Sequence, residues 1–110
     1  MWKVVFHVDE AEKWPLVFGN IRNFLGSCDH GTAQVRVVVN AGAVQSVVRK
    51  DWQEEFQRLA TQEVVFECCR IALKGHAIDV SGLPRELAVI PSGVRRLIEF
   101  QQAGFAYIKP

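Results

Sequence analysis

The stretch VVFECCRIALKG, residues 64–75, joins an apolar run to a segment of helical composition, and two cysteines stand at the junction. The run at 63–68 predicts a buried strand, and the segment behind it predicts a short helix that ends near Gly75. Adjacent residues of a strand point to opposite faces of the sheet. We therefore expect Cys68 and Cys69 to have different surroundings, with Cys68 packed beneath a helix.

The same alternation of strand and helix patterns extends over the whole chain. Four more apolar strands are predicted at 3–8, 35–39, 87–91 and 105–109. A first helix is predicted over roughly 13–25, with Pro15 in its first turn. A second is predicted to begin at an Asp51 cap and to turn Trp52, Phe56 and Leu59 inward. A further helix is predicted to begin at a Ser92 cap, to turn Val94, Leu97 and Ile98 inward and to stop at Gly104. Apolar strands that alternate with amphipathic helices indicate a single α/β domain, residues 1–110, with a five-stranded, mostly parallel sheet covered on both faces.

Size and charge exclude several classes of function. The chain has 110 residues with 13 basic and 12 acidic side chains, and no basic stripe that would favour nucleic acid or an anionic membrane. No stretch approaches the ~20 apolar residues that a membrane span requires. Three cysteines are an odd number at low density, which favours reduced thiols over a disulfide framework. We expect a cytoplasmic protein.

Candidate site residues follow the predicted strands. In a parallel sheet, ligands bind beyond the carboxyl ends of the strands. The residues predicted at that edge are His7, Asp9, Asn40, Gly42, Cys68, Cys69, Pro91, Ser92 and Gly93. His7 and Asp9 can orient or protonate a ligand, or the histidine is simply satisfied by backbone. Ser92 and Gly93 offer either an anion site or an ordinary helix cap.

Cys69 is the candidate nucleophile because it stands where the third strand becomes a helix. The helix dipole and the neighbouring Arg70 would stabilise its thiolate, although a cysteine that serves as a small buried hydrophobe is the alternative. The chain has no CxxC pair, and His7, His30 and His76 are scattered, so neither a zinc site nor a redox dithiol is predicted. We expect Cys28, in a polar loop, to be incidental.

The chain resembles the DsrE/DsrF-like family of small sulfur-relay proteins, also called YchN-like. The matching segments, in family order, are KVVFHV (3–8), Trp14, NIRNFL (20–25), VRVVVNAGAV (35–44), VVFECCRIAL (64–73) and VIPSGVRRLIEFQQAGFAYIKP (89–110). The last of these is the most specific. The resemblance implies a three-layer α/β/α domain with a five-stranded, mainly parallel sheet, assembled into trimers or hexamers.

The resemblance also implies a function. In members with known roles, a cysteine at the end of the third strand accepts sulfane sulfur as a persulfide, and in this chain that cysteine aligns with Cys69. Arg70 and Ile71 depart from the family pattern of a small or polar residue followed by Asn. The expected protein is a small sulfur carrier whose partners are other sulfur-carrier proteins, the donor and the acceptor of the persulfide. The residues expected to line the pocket and stabilise the anionic sulfur are Arg70, Ser92, Gly93, His7, Asn40 and Gly42, with no metal or cofactor.

Two other hypotheses remain open from the sequence. One is a non-catalytic, oligomeric binding module that holds a small anionic or nucleotide-like ligand at the strand ends, with Cys69 only lining the pocket. The other is a structural subunit that docks another protein. Trp2, Trp14, Trp52 and seven Phe are many large apolar groups for such a small chain, which favours a homo-oligomer or, equally, a well-filled core.

Overall fold

The computed structural model describes residues 1–110 as a five-stranded sheet in which every neighbouring pair of strands is parallel. The strands are β1 (Trp2–Val8), β2 (Ala33–Val39), β3 (Val65–Cys69), β4 (Leu87–Ile90) and β5 (Ala106–Ile108). Their order in the sheet is β4-β3-β2-β1-β5. The predicted α/β fold is confirmed, with helices on both faces and with all five strands near their predicted positions.

Four α-helices and four shorter 3₁₀ segments connect the strands. The α-helices are α1 (Trp14–Ser27), α2 (Gln53–Ala60), α3 (Arg70–Gly75) and α4 (Gly93–Gln102). The 3₁₀ segments are Ala11–Lys13, Ala41–Ser46, Lys50–Trp52 and Val80–Gly82. None of the helices combines the length and the apolar composition needed to cross a membrane.

One face of the sheet carries most of the core. Residues of α1, α2, α3 and the Ala41–Ser46 segment form with it a cluster of 20 buried apolar residues. At its centre, Trp14 lies 5.2 Å from Phe18, and Phe56 lies 5.1 Å from Phe66, between ring centroids. Aromatic rings at such separations add to the free energy of burial. This face therefore supplies most of the apolar stabilisation, and Trp14 is a core residue.

The opposite face is covered by α4 alone. Leu97 and Phe100 are buried there against Val5 and Val38. The predicted inner face of this helix was wrong for two of its three residues, because Val94 and Ile98 are 62% and 48% exposed. Positions 93, 97 and 100 share one side of a helix, so once Gly93 and Leu97 rest on the sheet the two β-branched residues are rotated toward solvent.

Caps and turns around the helices agree with the sequence in two cases and differ in one. Ser92 Oγ accepts the N–H of Arg95 at 3.3 Å, as predicted for the cap of α4. Gly104 has φ of +90°, which suits the predicted stop behind that helix. Asp51 does not cap α2, because it lies inside a 3₁₀ turn and its carboxylate instead accepts a hydrogen bond from Arg49.

A largely buried ion pair fastens α4 to the sheet. The carboxylate of Glu67, in β3, accepts hydrogen bonds from Arg96 Nε at 2.7 Å and from Arg96 Nη2 at 3.0 Å. The guanidinium also lies 4.1 Å from the ring centroid of Phe100. The side chain of Glu67 is 5% exposed and that of Arg96 is 36% exposed, so the carboxylate depends on this one cation.

Arg96→Met is expected to lower the free energy of unfolding by about 2 kcal/mol, less than for a fully buried pair because Arg96 is partly exposed. The loss arises because the Glu67 carboxylate would stay buried without its partner. Urea unfolding followed by circular dichroism measures it. Arg95→Met is the matched control: Arg95 is on the same helix, 80% exposed and 3.8 Å from Glu99, and we expect a change within about 0.5 kcal/mol. Equal losses in the two variants would contradict the role given to the Glu67 pair.

Candidate functional site

The two adjacent cysteines at the end of β3 lie on opposite faces of the sheet. Cys68 pairs in register with Val39 and is fully buried in the large apolar cluster. Cys69 pairs with Ile90, is the last residue of β3 and occupies the N-cap position of α3 without a capping hydrogen bond from its side chain. The predicted difference between the two is confirmed, and it follows from the alternation of side chains along a strand.

Cys68 is an unreactive thiol. Burial, with a smaller contribution from the neighbouring Cys69, raises the pKa of the Cys68 thiol to about 12. A thiol with that pKa carries almost no thiolate at neutral pH, and the thiolate is the nucleophilic form. The predicted position of Cys68 beneath a helix is confirmed, and this thiol cannot serve as an acceptor of sulfur without local unfolding.

Cys69 lies directly beneath the first turn of α4. A Cβ atom built on Gly93 would stand 3.3 Å from Cys69 Cβ and 3.1 Å from Asn40 Cβ, which is closer than ordinary side-chain contacts. The absence of a side chain at Gly93 therefore lets the helix approach the ends of β2 and β3. Cys69 keeps 6% of its surface exposed, so the predicted accessible thiol is in fact a nearly covered one.

A chain of hydrogen bonds leads from Asn40 across the strand ends to β5. His7 Nε2 lies 2.8 Å from Asn40 Oδ1, and His7 Nδ1 lies 2.6 Å from the hydroxyl of Tyr107. The histidine is thus satisfied by two side chains rather than by backbone. Sequence reasoning missed Tyr107. Its register with Val5 in β1 puts it on the same face as His7, and only the pairing of β5 with β1 reveals this.

The other residues predicted at this edge lie outside the group formed by Cys69, Asn40, Gly93 and His7. Arg70 is exposed at the start of α3. Gly42 faces the backbone oxygen of Asp9, 3.8 Å from its built Cβ, and the carboxylate of Asp9 is paired with Lys109 Nζ at 3.1 Å. The hydrogen bond to Asp9 raises the pKa of Lys109. Asp9 therefore anchors the last residues of the chain and does not assist His7.

The third cysteine lies at the other end of the sheet. Cys28 is half-buried and lines a cleft of about 380 Å³ with residues that precede β2 and β3, among them His30 and Glu63. No three His, Cys, Asp or Glu side chains anywhere in the chain are arranged to hold a metal ion. The structure thus brings Cys69, Asn40, Gly93 and His7 together at the carboxyl edge and leaves Cys28 at the amino edge.

These features define the class of the protein: it is a small parallel α/β/α domain with a cysteine at the carboxyl end of its third strand. Within that class, the chain belongs to the DsrE/DsrF-like family, whose model matches residues 3–110. The search of curated proteins found no match. The predicted family is confirmed.

Solved structures agree with this assignment. The protein of unknown function MTH1491 from Methanobacterium thermoautotrophicum is 28% identical over 100% of both chains, with a TM-score of 0.92. The ychN protein from E. coli is 17% identical over 100% of both chains, with a TM-score of 0.77. The protein of unknown function BT1422 from Bacteroides thetaiotaomicron is 14% identical over 98% of this chain and 95% of its own, with a TM-score of 0.74. The last two share the fold.

Gly93→Ala is expected to destabilise the protein and to slow the alkylation of Cys69 by iodoacetamide. The added methyl group would occupy the space between Asn40 and Cys69, and this crowding outweighs the usual gain of up to about 1 kcal/mol from replacing a helical glycine. Mass spectrometry of native protein measures the alkylation rate, and urea unfolding measures the stability.

Gly19→Ala is the matched control. Gly19 lies within α1, and its nearest neighbour is the end of the flexible Arg22 side chain at 3.9 Å from the built Cβ. This variant should be more stable than the wild type and should keep its alkylation rate. If Gly93→Ala behaved like Gly19→Ala in both measurements, the close packing of α4 over Cys69 would be refuted.

Proposed function

We propose that this protein is a sulfur carrier that accepts sulfane sulfur as a persulfide on Cys69 and passes it to another thiol. Membership of the DsrE/DsrF-like family supports sulfur relay as the general role. The observation that carries the specific proposal is the place of Cys69 at the carboxyl end of β3, on the face opposite Cys68 and beside the polar side chain of Asn40.

The transfer is thiol exchange and needs no cofactor. The thiolate of Cys69 attacks the outer sulfur of a donor persulfide, R–S–SH, and a new S–S bond forms while the donor's S–S bond breaks. The donor leaves as the thiolate R–S⁻, and the proton remains on the transferred sulfur. Cys69 Sγ is oxidised and the donor's thiol sulfur is reduced, so the step balances without an external oxidant. An acceptor thiolate then attacks the outer sulfur and releases Cys69 as a thiolate.

The alternatives among the cysteines are weaker acceptors. Cys68 is fully buried and its pKa is raised to about 12. Cys28 is more open but lies at the amino edge of the sheet, away from the polar side chains at the carboxyl edge. Of the three cysteines, Cys69 is the one that lies beside the polar side chain of Asn40 at the carboxyl edge.

The remaining predicted pocket residues have graded roles in this proposal. Gly93 and Asn40 adjoin Cys69, because a side chain built on Gly93 would begin 3.3 Å from both Cys69 Cβ and Asn40 Nδ2. Arg70 is exposed beside Cys69 and would attract anionic donors rather than contact the sulfur. Ser92 holds α4 in place through its cap. Gly42 lies near Asp9 and shapes the edge at a greater distance from Cys69.

The partners in this proposal are other sulfur-carrier proteins and further copies of the chain, in a trimer or hexamer. Two apolar side chains on α4 support an interface, because Val94 and Ile98, four residues apart on one side of the helix, are strongly exposed. Single exposed apolar residues are normal, but neighbouring ones on one helix face indicate a surface that another subunit can cover.

A second candidate function is a binding module for a small anion at the same edge. The observation that favours it is the low exposure of Cys69, because a covered thiol can line a pocket without reacting. The first turn of α4 and the amide of Asn40 would then bind the anion, and the thiol would only contribute packing. The chemistry of Cys69 separates the two functions.

Reduced wild-type protein treated with sodium disulfide is expected to gain the mass of one sulfur atom on Cys69. Intact-mass spectrometry detects the gain, and peptide mapping under non-reducing, acidic conditions assigns the residue. Cys69→Ala should lose the gain, because neither remaining thiol combines access with the polar edge. Addition of a thiol such as dithiothreitol should remove the sulfur again, since a second thiolate can attack it.

Cys28→Ala and Cys68→Ala are the controls and should still load one sulfur. Loading that persists in Cys69→Ala, or that disappears only in Cys28→Ala, would refute the proposed acceptor. If the wild type takes up no sulfur while remaining folded, the anion-binding function becomes the better explanation.

A further inference from the structure

We propose that Tyr107 is a positioning residue that acts through His7 and Asn40 to direct an amide N–H group at the sulfur of Cys69. This inference rests on the proposed function, because its purpose is to stabilise the anionic sulfur that forms there. Tyr107 belongs to β5, Asn40 follows β2 and Cys69 ends β3, so the chain of contacts crosses the strand ends from one edge of the sheet toward its centre.

The first step is the protonation pattern of the histidine. Asn40 Oδ1 is an acceptor without a hydrogen, so His7 Nε2, at 2.8 Å, must carry the proton and donate it. In the neutral ring, Nδ1 is then an acceptor, and the O–H of Tyr107, at 2.6 Å, donates to it. A phenol is a stronger hydrogen-bond donor than acceptor, so the hydroxyl of Tyr107 favours the Nε2–H tautomer of His7.

The second step is the orientation of the amide. Because Oδ1 of Asn40 is directed at His7, Nδ2 points the other way. Nδ2 and Cys69 Cβ both lie 3.3 Å from the point where a side chain on Gly93 would begin, so the amide nitrogen and Cys69 border the same space. An added sulfur extends Cys69 by about 2 Å, the length of an S–S bond.

The third step concerns whether the amide of Asn40 attracts or repels a negatively charged sulfur on Cys69. In the opposite tautomer, His7 Nε2 would be an acceptor, and Asn40 would have to turn its N–H group toward the ring. Its carbonyl oxygen would then face Cys69 and repel a thiolate or a persulfide anion. Hydrogen bonds to charged acceptors are stronger than those to neutral ones. By favouring one tautomer of His7, a hydroxyl on β5 thus favours the amide orientation in which the polar group beside Cys69 attracts negative charge.

The position of Tyr107 is itself secured. β5 pairs with β1 through only three residues, and the ion pair between Lys109 and Asp9 follows directly after it at 3.1 Å. The ring of Tyr107 lies 5.7 Å from that of His7, tilted by 52°. The hydroxyl therefore projects from a short strand that is held by its pairing with β1 and by the Lys109–Asp9 ion pair, which suits a positioning role.

A double-mutant cycle on the rate of sulfur loading tests the connection. Tyr107→Phe and Asn40→Ala are each expected to slow the loading of Cys69 by sodium disulfide, on the order of tenfold, as for the loss of one hydrogen bond to a charged group. The double variant should be no slower than Asn40→Ala alone, because Tyr107 acts only through Asn40. Asn23→Ala, an exposed asparagine of α1, should load at the wild-type rate.

A wild-type rate in Tyr107→Phe, or effects of the two substitutions that simply multiply, would overturn the inference while leaving the proposed function intact. Urea unfolding of each variant separates these outcomes from a loss of fold. Failure of the wild type to load at all would instead refute the proposed function.

The tautomer of His7 provides a test that needs no sulfur chemistry. The ring-nitrogen NMR shifts of the neutral His7 ring in the wild type should show the Nε2–H form. Tyr107→Phe should produce a mixture of both tautomers, since the donor that selects one of them is gone. The Nδ1–H form in the wild type, or an unchanged tautomer in Tyr107→Phe, would contradict the inference.

Discussion

The contact between the first turn of α4 and the ends of β2 and β3 is the constraint on which the rest of the site depends. The hydrogen atom at Gly93 keeps this contact free of crowding, because a methyl group there would meet Cys69 and Asn40 at 3.1–3.3 Å. The Glu67–Arg96 pair holds the same helix one turn further along. Together these two contacts set the depth of Cys69, which in turn sets how much of its sulfur another molecule can reach.

The unequal faces of the sheet explain how two adjacent cysteines acquire different chemistry. One face is filled by three helices and a 3₁₀ segment, and Cys68 is sealed among their apolar side chains. The other is covered by α4 alone and carries the polar chain of Tyr107, His7 and Asn40 beside Cys69. A single step along β3 therefore separates a thiol that stays protonated from one with polar neighbours and an opening.

Much of the fold could be predicted from the sequence because it rests on local patterns: apolar strands, amphipathic helices, the Ser92 cap and the Gly104 stop. The exposure of Val94 and Ile98 could not, since both belong to an apolar stripe wider than the surface that the sheet offers. The place of Tyr107 depends on the pairing of β5 with β1, which joins the two ends of the chain and leaves no local signal. The sequence also indicates a cysteine at the end of β3. It does not indicate that α4 covers this cysteine, because α4 begins some 25 residues later in the chain.

The account assigns the sulfur a definite place, and a crystal structure of the protein after treatment with sodium disulfide tests it most directly. The expected result is one additional sulfur atom bonded to Cys69 Sγ and within hydrogen-bonding distance of Asn40 Nδ2. Two results would contradict the account. One is an unmodified Cys69 with the added sulfur on Cys28, and the other is a persulfide on Cys69 that faces Oδ1 of Asn40 instead of Nδ2.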